Sequence, residues 1–298
     1  MRCQPMLLLA LLALAACAGP SGSGCQLEKL AELPLRLTNN VPTIPVEING
    51  QQATMLLDTG ADVTVLNRAA AKRLGVTPGA GRKSVSGAGG TAVVDTAALK
   101  RFTLGGFEVP AASVHVGDRP LPPLDGLIGI DQLVGFELDV DFPARRIIFY
   151  RARRCTPILP NWPAPFTRLA TQQNPKSGHL IVTAGINNQP LHGVMDTGAT
   201  KTVISLQAAE DIGIRRRQLQ DLPSTKSQTI DRSGLTTHLG QAREIRVAGD
   251  IVLAPSIGIA DLPVVARDFL LGMDYLGQHR LWISFAQGAV FRKEQAAP

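Results

Sequence analysis

Two aspartates, Asp58 and Asp196, lie in nearly identical strings 138 residues apart. The first string is LDTGADVTVLN, residues 57–67, and the second is MDTGATKTVIS, residues 195–205. Each aspartate follows an apolar run typical of a buried strand. Equivalent strands in two copies of one fold, related by a two-fold axis, would bring the two carboxyls face to face.

A carboxyl pair of this kind is suited to general acid–base hydrolysis. Two carboxylates about 3 Å apart repel by roughly 5 kcal/mol at an effective dielectric of 20, so the pair is expected to share one proton. The ionised member can accept a proton from water, and the protonated member can donate one to a carbonyl oxygen. No covalent intermediate is then required.

The residues after each aspartate predict supporting roles. We expect Thr59 and Thr197 to lock the two loops together through hydroxyl hydrogen bonds. Gly60 and Gly198 would let backbone approach the carboxyls closely. A lone Asp-Thr-Gly turn occurs by chance in roughly one protein in twenty, but two copies in matching contexts argue against a turn with no further role.

The elements that position the loops follow from the same repeat. Residues 44–60 predict a strand, an Asn-Gly turn and a second strand, and residues 180–198 repeat the plan with Asn-Asn at the turn. A short helix followed by glycine is expected over 68–76 and again over 206–214.

The repeat predicts a mainly all-β fold of two homologous β-barrel lobes related by a pseudo-two-fold axis. We expect an N-terminal lobe over residues 34–150, a Pro-rich linker over 151–166 and a C-terminal lobe over 167–298. With 298 residues, 45% hydrophobic and 18% charged, the chain is long enough for two globular domains.

Other chemistries find little support in the sequence. The five histidines are scattered without metal-ligand spacing, and neither G-x-S-x-G nor C-x-x-C occurs. We therefore expect no cofactor and no metal, and the histidines are interpreted as surface or core residues. Basic clusters at 151–154 and 215–217 are typical of solvated surface or of contact with anionic lipid. Because no aromatic residues interleave with them, no nucleic-acid partner is expected.

The N-terminus predicts export. Residues 1–16 combine Arg2 with an apolar run too short to span a bilayer, as in a secretory signal. The end LAAC, residues 14–17, resembles the lipobox of bacterial lipoproteins. That resemblance implies acylation of Cys17, a lipid-anchored tether over 17–33 and a place in the bacterial envelope, at the outer membrane facing the periplasm. The alternative is an ordinary signal peptide with a chance cysteine.

The remaining cysteines form one candidate pair. Cys3 leaves with the signal and Cys17 would take lipid, so Cys25 and Cys155 remain. An envelope compartment favours their oxidation. A bridge closing so long a loop could contribute roughly 5 kcal/mol in the chain-entropy model. Two unpaired thiols are the alternative.

The chain resembles the aspartic peptidases, specifically their retropepsin-like branch. LLDTGADVTVL at 56–66 is close to the retroviral active-site string, and LIG at 127–129 and LLG at 270–272 match that family's apolar-apolar-Gly element. The resemblance covers residues 34–292. Retroviral members are homodimers of single-lobe chains, whereas this chain carries both lobes, as pepsin does. The resemblance implies a monomer with a polypeptide substrate and Asp58 and Asp196 as the catalytic pair.

The family pattern also implies substrate contacts beside the pair and in two flaps. One departure is that the Arg expected after the apolar-apolar-Gly element is Ile130 or Met273, so Asp62 lacks its usual partner. Flap hairpins are expected at 84–93 and 229–238, although ordinary surface hairpins are the alternative. The candidate substrate-binding residues are Ala61, Asp62, Ala199, Thr200, Ser86, Gly87, Ala88, Gly89, Ile230 and Asp231.

Three functions are consistent with these features. The first is an envelope-anchored aspartic endopeptidase. The second is a lipoprotein that binds extended peptides on the same fold without cutting them. The third is a chain whose lobe pairs with a lobe of another chain. Both Asp-Thr-Gly strings are intact, which favours the enzyme.

Overall fold

A computed structural model describes residues 24–87, 90–110, 112–118, 123–163, 165–227, 234–263 and 267–294. Its first half is built from strands and two short helices. In chain order they are β1 (Gln26–Pro34), β2 (Arg36–Thr38), β3 (Val41–Ile48), β4 (Gln51–Leu57), β5 (Val65–Asn67), α1 (Arg68–Arg73), β6 (Arg82–Gly87), β7 (Gly90–Ala98), β8 (Phe102–Leu104), β9 (Phe107–Glu108), β10 (Ser113–Gly117), β11 (Gly126–Ile128), α2 (Ile130–Leu133), β12 (Glu137–Asp141) and β13 (Arg146–Arg153).

The second half repeats this plan and adds a 3₁₀ helix at Arg216–Asp221. Its other elements are β14 (Phe166–Arg168), β15 (Thr171–Gln173), β16 (Leu180–Ile186), β17 (Gln189–Met195), β18 (Val203–Ser205), α3 (Leu206–Asp211), β19 (Ser224–Ser227), β20 (Leu235–Gln241), β21 (Glu244–Val247), β22 (Asp250–Leu253), β23 (Ser256–Ala260), β24 (Phe269–Leu271), α4 (Met273–Leu276), β25 (Arg280–Ser284) and β26 (Ala289–Lys293).

Each half folds into its own sheet with the same strand order. The first sheet runs β6-β7-β10-β5-β11-β4-β3-β8-β9, and the second runs β19-β20-β23-β18-β24-β17-β16-β21-β22. In each, the strand that leads to an Asp-Thr-Gly string pairs in parallel with a short strand from the end of the lobe, β4 with β11 and β17 with β24. The prediction of a mainly β fold with two homologous lobes is confirmed.

The expected helices are present but shorter than predicted. Helix α1 ends at Arg73 and α3 at Asp211, and each is capped by a side chain, Asn67 or Ser205, that accepts a hydrogen bond from the third residue along. The glycines Gly75 and Gly213 have positive φ and turn the chain away. Within the described ranges, no helix combines the length and apolar character needed to cross a bilayer.

A third, six-stranded sheet joins the lobes. Its order is β1-β13-β12-β25-β26-β14, so three strands of the first half lie beside three strands of the second half within one sheet. At its centre β12 pairs with β25 antiparallel, with Leu138 opposite Ile283 and Val140 opposite Leu281. All four of these side chains are fully buried. Separation of the lobes would expose this apolar centre to water, which is strongly unfavourable.

Polar groups in the joining sheet are also paired between lobes. Asp139 accepts two hydrogen bonds from the Arg280 guanidinium, at 2.8 and 2.6 Å, and one from the Trp162 indole at 3.1 Å. Glu137 accepts from the Trp282 indole at 3.1 Å and from a serine hydroxyl at 3.0 Å. Burial raises the pKa of Glu137. The donors lie in the second lobe, more than 140 residues away from their acceptors, except for Trp162, which lies in the connecting segment. These hydrogen bonds therefore fix the lobes to each other.

Two predicted boundaries were wrong. The tether expected over 17–33 cannot extend to residue 33, because Gln26–Pro34 forms β1 and pairs along β13. The alternation of exposed and buried residues along β1 explains this, since Ala31 and Leu33 are buried. The linker expected over 151–166 begins inside β13, and Phe166 starts β14.

The Pro-rich segment between the lobes is packed against the joining sheet. Ile158 and Trp162 are buried in a cluster with Tyr150 and Trp282. The side chain of Gln287 bonds both the N–H and the carbonyl of Ile158, each at 2.9 Å. The segment therefore covers the joining sheet. Cys17 and the predicted signal lie outside the described residues.

Cys25 and Cys155 form a disulfide that spans 130 residues of sequence. The two cysteines flank the first register pair of β1 and β13, Gln26 opposite Arg153. The bridge thus holds the outer strand of the joining sheet in place.

We predict that Cys25→Ser combined with Cys155→Ser lowers the free energy of unfolding by up to about 5 kcal/mol, because the unfolded chain loses a long closed loop. Urea unfolding of the oxidised wild type and the double variant would measure the difference. The wild type in a reducing agent is the matched control and should behave like the variant. Equal unfolding midpoints for all three would contradict the prediction.

Candidate active site

The two aspartates occupy equivalent positions at the ends of β4 and β17. The backbone N–H of Asp58 donates to the Ile128 carbonyl in β11, and that of Asp196 donates to the Leu271 carbonyl in β24, both at 3.0 Å. The parallel pairing of each aspartate strand with the short strand beside it therefore continues one bond beyond the strand end. Both carboxyls are aimed into the junction between the lobes.

The two threonines exchange hydrogen bonds across this junction. The N–H of Thr59 donates to the Thr197 hydroxyl at 3.0 Å, and the N–H of Thr197 donates to the Thr59 hydroxyl at 3.1 Å. Each hydroxyl then donates to the opposite strand, to the carbonyl of Met195 or of Leu57, at 2.6 Å. Both threonines are almost completely buried. Four buried hydrogen bonds thus fix the spacing of the loops.

The glycines let each carboxyl lie against the opposite loop. A Cβ placed on Gly60 would lie 2.5 Å from Oδ1 of Asp196, and one placed on Gly198 would lie 2.6 Å from Oδ2 of Asp58. No side chain can occupy these positions without moving a carboxyl. The glycine N–H groups also donate to the aspartate of their own loop, to Asp58 at 2.9 Å and to Asp196 at 2.8 Å.

The carboxyl pair is coupled and partly withdrawn from water. A side-chain hydrogen bond links Asp58 to Asp196. Asp196 is 8% exposed, and burial raises its pKa. The N–H groups of Gly198 and Ala199 and the charge of His179 act in the opposite direction. A proton shared by two such carboxyls leaves one acid and one base in the same site.

A second pair of carboxylates supports the loops from behind. The hydroxyl of Thr64 donates to Asp131 at 2.7 Å and accepts from the Gly129 N–H at 3.0 Å. In the other lobe the Thr202 hydroxyl likewise donates to Asp274 at 2.8 Å and accepts from the Gly272 N–H at 3.2 Å. Each string is thereby fastened to the closing element of its own lobe.

Sequence reasoning did not single out Asp131 and Asp274. The signal that could have found them is their matching place, each two residues after the glycine of an apolar-apolar-Gly element. Their threonine partners belong to the repeated string, so both halves of each pair recur with the repeat.

Asp62 has a partner that the sequence did not predict. Nε2 of His179 lies 3.4 Å from Oδ1 of Asp62 and 3.0 Å from the carbonyl oxygen of Gly60. The sequence alone predicts that His179 is an ordinary surface or core residue. It is 3% exposed and stands between the two lobes. At the repeat offset of 138 the counterpart of His179 is Val41. The one signal in the sequence for a special role of His179 is that the histidine is present in only one copy of the repeat.

The other predicted contact residues divide into two groups. The carbonyls of Ala61 and Ala199 accept hydrogen bonds from the N–H groups of Ile130 and Met273, both at 2.9 Å. The Thr200 carbonyl accepts from the Asn40 amide of the first lobe, also at 2.9 Å. These residues line the loops beside the carboxyl pair.

The flap residues are only partly described. Ser86 and Gly87 end strand β6, which pairs with β7 in a hairpin. Ala88, Gly89, Ile230 and Asp231 lie outside the described residues. Across the ranges that the structure does describe, no cluster of histidine, cysteine, aspartate and glutamate could hold a metal ion.

Comparison with known proteins agrees with the fold and with the repeated strings. Residues 44–132 match the family described as aspartyl protease, and residues 182–278 match the family described as gag-polyprotein putative aspartyl protease. Together the two matched ranges cover more than half of the chain. A search of curated proteins found no match.

The fold is similar to that of a solved two-lobe enzyme. The aspartic proteinase from Irpex lacteus superposes with a TM-score of 0.56 over 89% of this chain and 97% of its own, at 14% identity. A two-lobe β fold with an Asp-Thr-Gly loop from each lobe defines the aspartic peptidase class. The chain belongs to the aspartyl protease family, as a member with two retropepsin-like domains in tandem.

We predict that Gly60→Ala lowers peptidase activity at least about 100-fold, because the added methyl group displaces the Asp196 carboxyl and small misplacements at a reacting centre are costly. Gly135→Ala is the matched control, since a Cβ there meets no atom within 4 Å. Both proteins would be assayed on denatured casein, with circular dichroism confirming the fold. Full activity of a folded Gly60→Ala protein would contradict the close approach described above.

Proposed function

We propose that the chain is an endopeptidase that hydrolyses peptide bonds with a water molecule activated by Asp58 and Asp196. The observation that carries this proposal is the reciprocal arrangement of the two loops, in which each carboxyl lies against the glycine of the other. This geometry supports one site made by both lobes of one chain. The third functional hypothesis, a pairing with a lobe of another chain, is therefore less favoured.

The reaction needs one proton on the carboxyl pair. The ionised carboxylate accepts a proton from water as the water oxygen attacks the peptide carbonyl carbon. The protonated carboxyl donates to the carbonyl oxygen, which forms a tetrahedral diol. The carboxyl that took the proton from water passes it to the amide nitrogen, and a hydroxyl of the diol returns its proton to the other carboxylate as the C–N bond breaks. The products are a carboxylic acid and an amine, one water molecule is consumed, and the pair again holds one proton.

The substrate is proposed to be an extended polypeptide. The residues beside the pair, Ala61, Asp62, Ala199 and Thr200, present backbone and short side chains, which suit recognition of a peptide main chain. The hairpins predicted from the sequence at 84–93 and 229–238 are proposed as flaps that close over it. Flap closure of this kind excludes water from the reacting centre.

The cellular place is proposed from the N-terminal residues. The lipobox-like sequence at 14–17 supports acylation of Cys17, which would hold the peptidase at the outer membrane on its periplasmic side. The Cys25–Cys155 disulfide is compatible with such an oxidising compartment. A monomer is proposed because the joining sheet already pairs the two lobes within one chain.

We predict that Asp58→Asn and Asp196→Asn each reduce cleavage of a mixed peptide library by on the order of 10²–10⁴-fold, since each removes one half of the acid–base pair.

We also predict that kcat/KM of the wild type depends on pH with a bell-shaped profile. Below the lower pKa of the pair no base remains, and above the upper pKa no acid remains. Because burial raises the pKa of Asp196, the alkaline limb should lie above the ordinary aspartate range.

The matched control for these variants is Asp261→Asn, which changes an exposed aspartate and should retain full activity. Loss in only one of the two active-site variants would contradict a shared pair. A folded wild type that retains peptides but cuts none between pH 3 and 8 would favour the peptide-binding lipoprotein instead.

We also predict that Cys17→Ser releases the protein from the membrane fraction of a Gram-negative host and abolishes labelling by a radioactive fatty acid. Cys3→Ser is the control and should leave both unchanged, because it lies within the predicted signal. Labelling that persists in the Cys17→Ser protein would refute the proposed anchor.

A further inference from the structure

The ring of His179 contacts the loop of an active-site aspartate at Gly60. His179 precedes strand β16 of the second lobe, yet its ring lies against the first-lobe loop. A backbone carbonyl can only accept, so Nε2 must carry a proton and donate to the Gly60 carbonyl at 3.0 Å. The same Gly60 donates its N–H to Asp58. His179 is thus one residue away from the carboxyl pair.

The ring can be neutral or charged without losing a hydrogen bond. Its other nitrogen, Nδ1, lies 2.9 Å from the Ser177 hydroxyl. A hydroxyl can donate to a neutral ring or accept from a charged one. The bond from Nε2 to Gly60 exists in both states. The hydrogen bonds of the ring are therefore compatible with both of its protonation states.

Acidic groups surround the ring. Oδ1 of Asp62, 3.4 Å away, is a buried atom without a hydrogen bond in the described part of the chain. A buried carboxylate oxygen of this kind needs a nearby positive charge. Asp196 is close enough to the ring for an electrostatic interaction, and Asp58 is hydrogen-bonded to Asp196. Lys176, on the same segment as His179, is exposed. Acidic groups therefore face the ring from the Asp62 loop and from the carboxyl pair.

We infer that His179 is a positioning residue whose ring holds the first-lobe loop at Gly60 and Asp62 and whose protonated form places a positive charge beside the carboxyl pair. The inference rests on the proposed function, because the pair is taken to be the catalytic one. His179 touches neither carboxyl of the pair in the described contacts, so it acts through Gly60 and through its charge.

The repeat counterpart of His179 in the first lobe is Val41, which carries no charge. Beside it, the Asn40 amide donates to the Thr200 carbonyl at 2.9 Å. Asn40 has no ionisable side chain, and Thr200 carries no carboxylate. Each lobe therefore contacts the loop of the other, but only the second lobe does so through an ionisable ring.

The test separates the charge from the hydrogen bond. His179→Gln keeps an N–H that can reach the Gly60 carbonyl and removes the charge. At the acid limb His179 is protonated in the wild type, and its charge favours ionisation of the pair. In the variant that limb of kcat/KM should move about 0.5–1 pH unit to higher pH. His192→Gln, an exposed histidine of the same lobe, is the control and should not move it.

A second measurement does not depend on activity. The imidazole signals of the full mature protein would be titrated by NMR, with His179 assigned from its loss in His179→Gln. Asp62→Asn and Asp196→Asn should each move the His179 titration to lower pH, because each removes a neighbouring negative charge. His192 should titrate identically in all three proteins.

The outcomes are distinct. A folded His179→Gln protein with an unmoved acid limb would overturn the inference, as would a His179 pKa that neither aspartate variant changes. A uniform fall in kcat/KM without a shift of the limb would show a merely structural role and also overturn it. Absence of cleavage by the wild type would refute the proposed function, and the NMR titration would still decide the role of His179.

Discussion

The structure depends on holding two carboxyls together that would otherwise repel each other. In the proposed mechanism a single shared proton removes most of that repulsion. The Thr59–Thr197 exchange prevents the loops from separating. Gly60 and Gly198 make the contact possible because neither has a side chain to stand in the way. The loops are fastened in turn to their own lobes through Asp131 and Asp274. Each of these sets of contacts keeps the distance between the two carboxyls constant.

The joining sheet extends the same constraint to the whole molecule. A site made from two lobes works only if the lobes cannot drift, and β12 and β25 pair the lobes across a fully buried apolar centre. The Asp139–Arg280 salt bridge adds two directional hydrogen bonds between the lobes. The outer strand β1 is held by the disulfide at one end. The segment between the lobes packs against this sheet.

The two halves of the site are alike in backbone and different in charge. Equivalent strands, threonines and glycines create a nearly symmetric frame. Within it, Asp62 faces His179 while Thr200 faces Asn40. Asymmetry of this kind can distinguish two chemically identical carboxyls, since a nearby charge acts more strongly on one of them. A duplicated chain can acquire such a difference, whereas a homodimer of identical chains cannot.

The sequence by itself determined the repeat, the mainly β fold and the two aspartate strings, because strand alternation, turn residues and a recurring string are properties of neighbouring residues. It also reduced the disulfide to one candidate pair. Only the tertiary structure decided that β1 belongs to the joining sheet, that the Pro-rich segment packs against that sheet, and that His179 partners Asp62. The reason is physical: Gly60 and His179 are 119 residues apart, and their contact depends on which surfaces of two folded lobes meet. No local pattern encodes that contact.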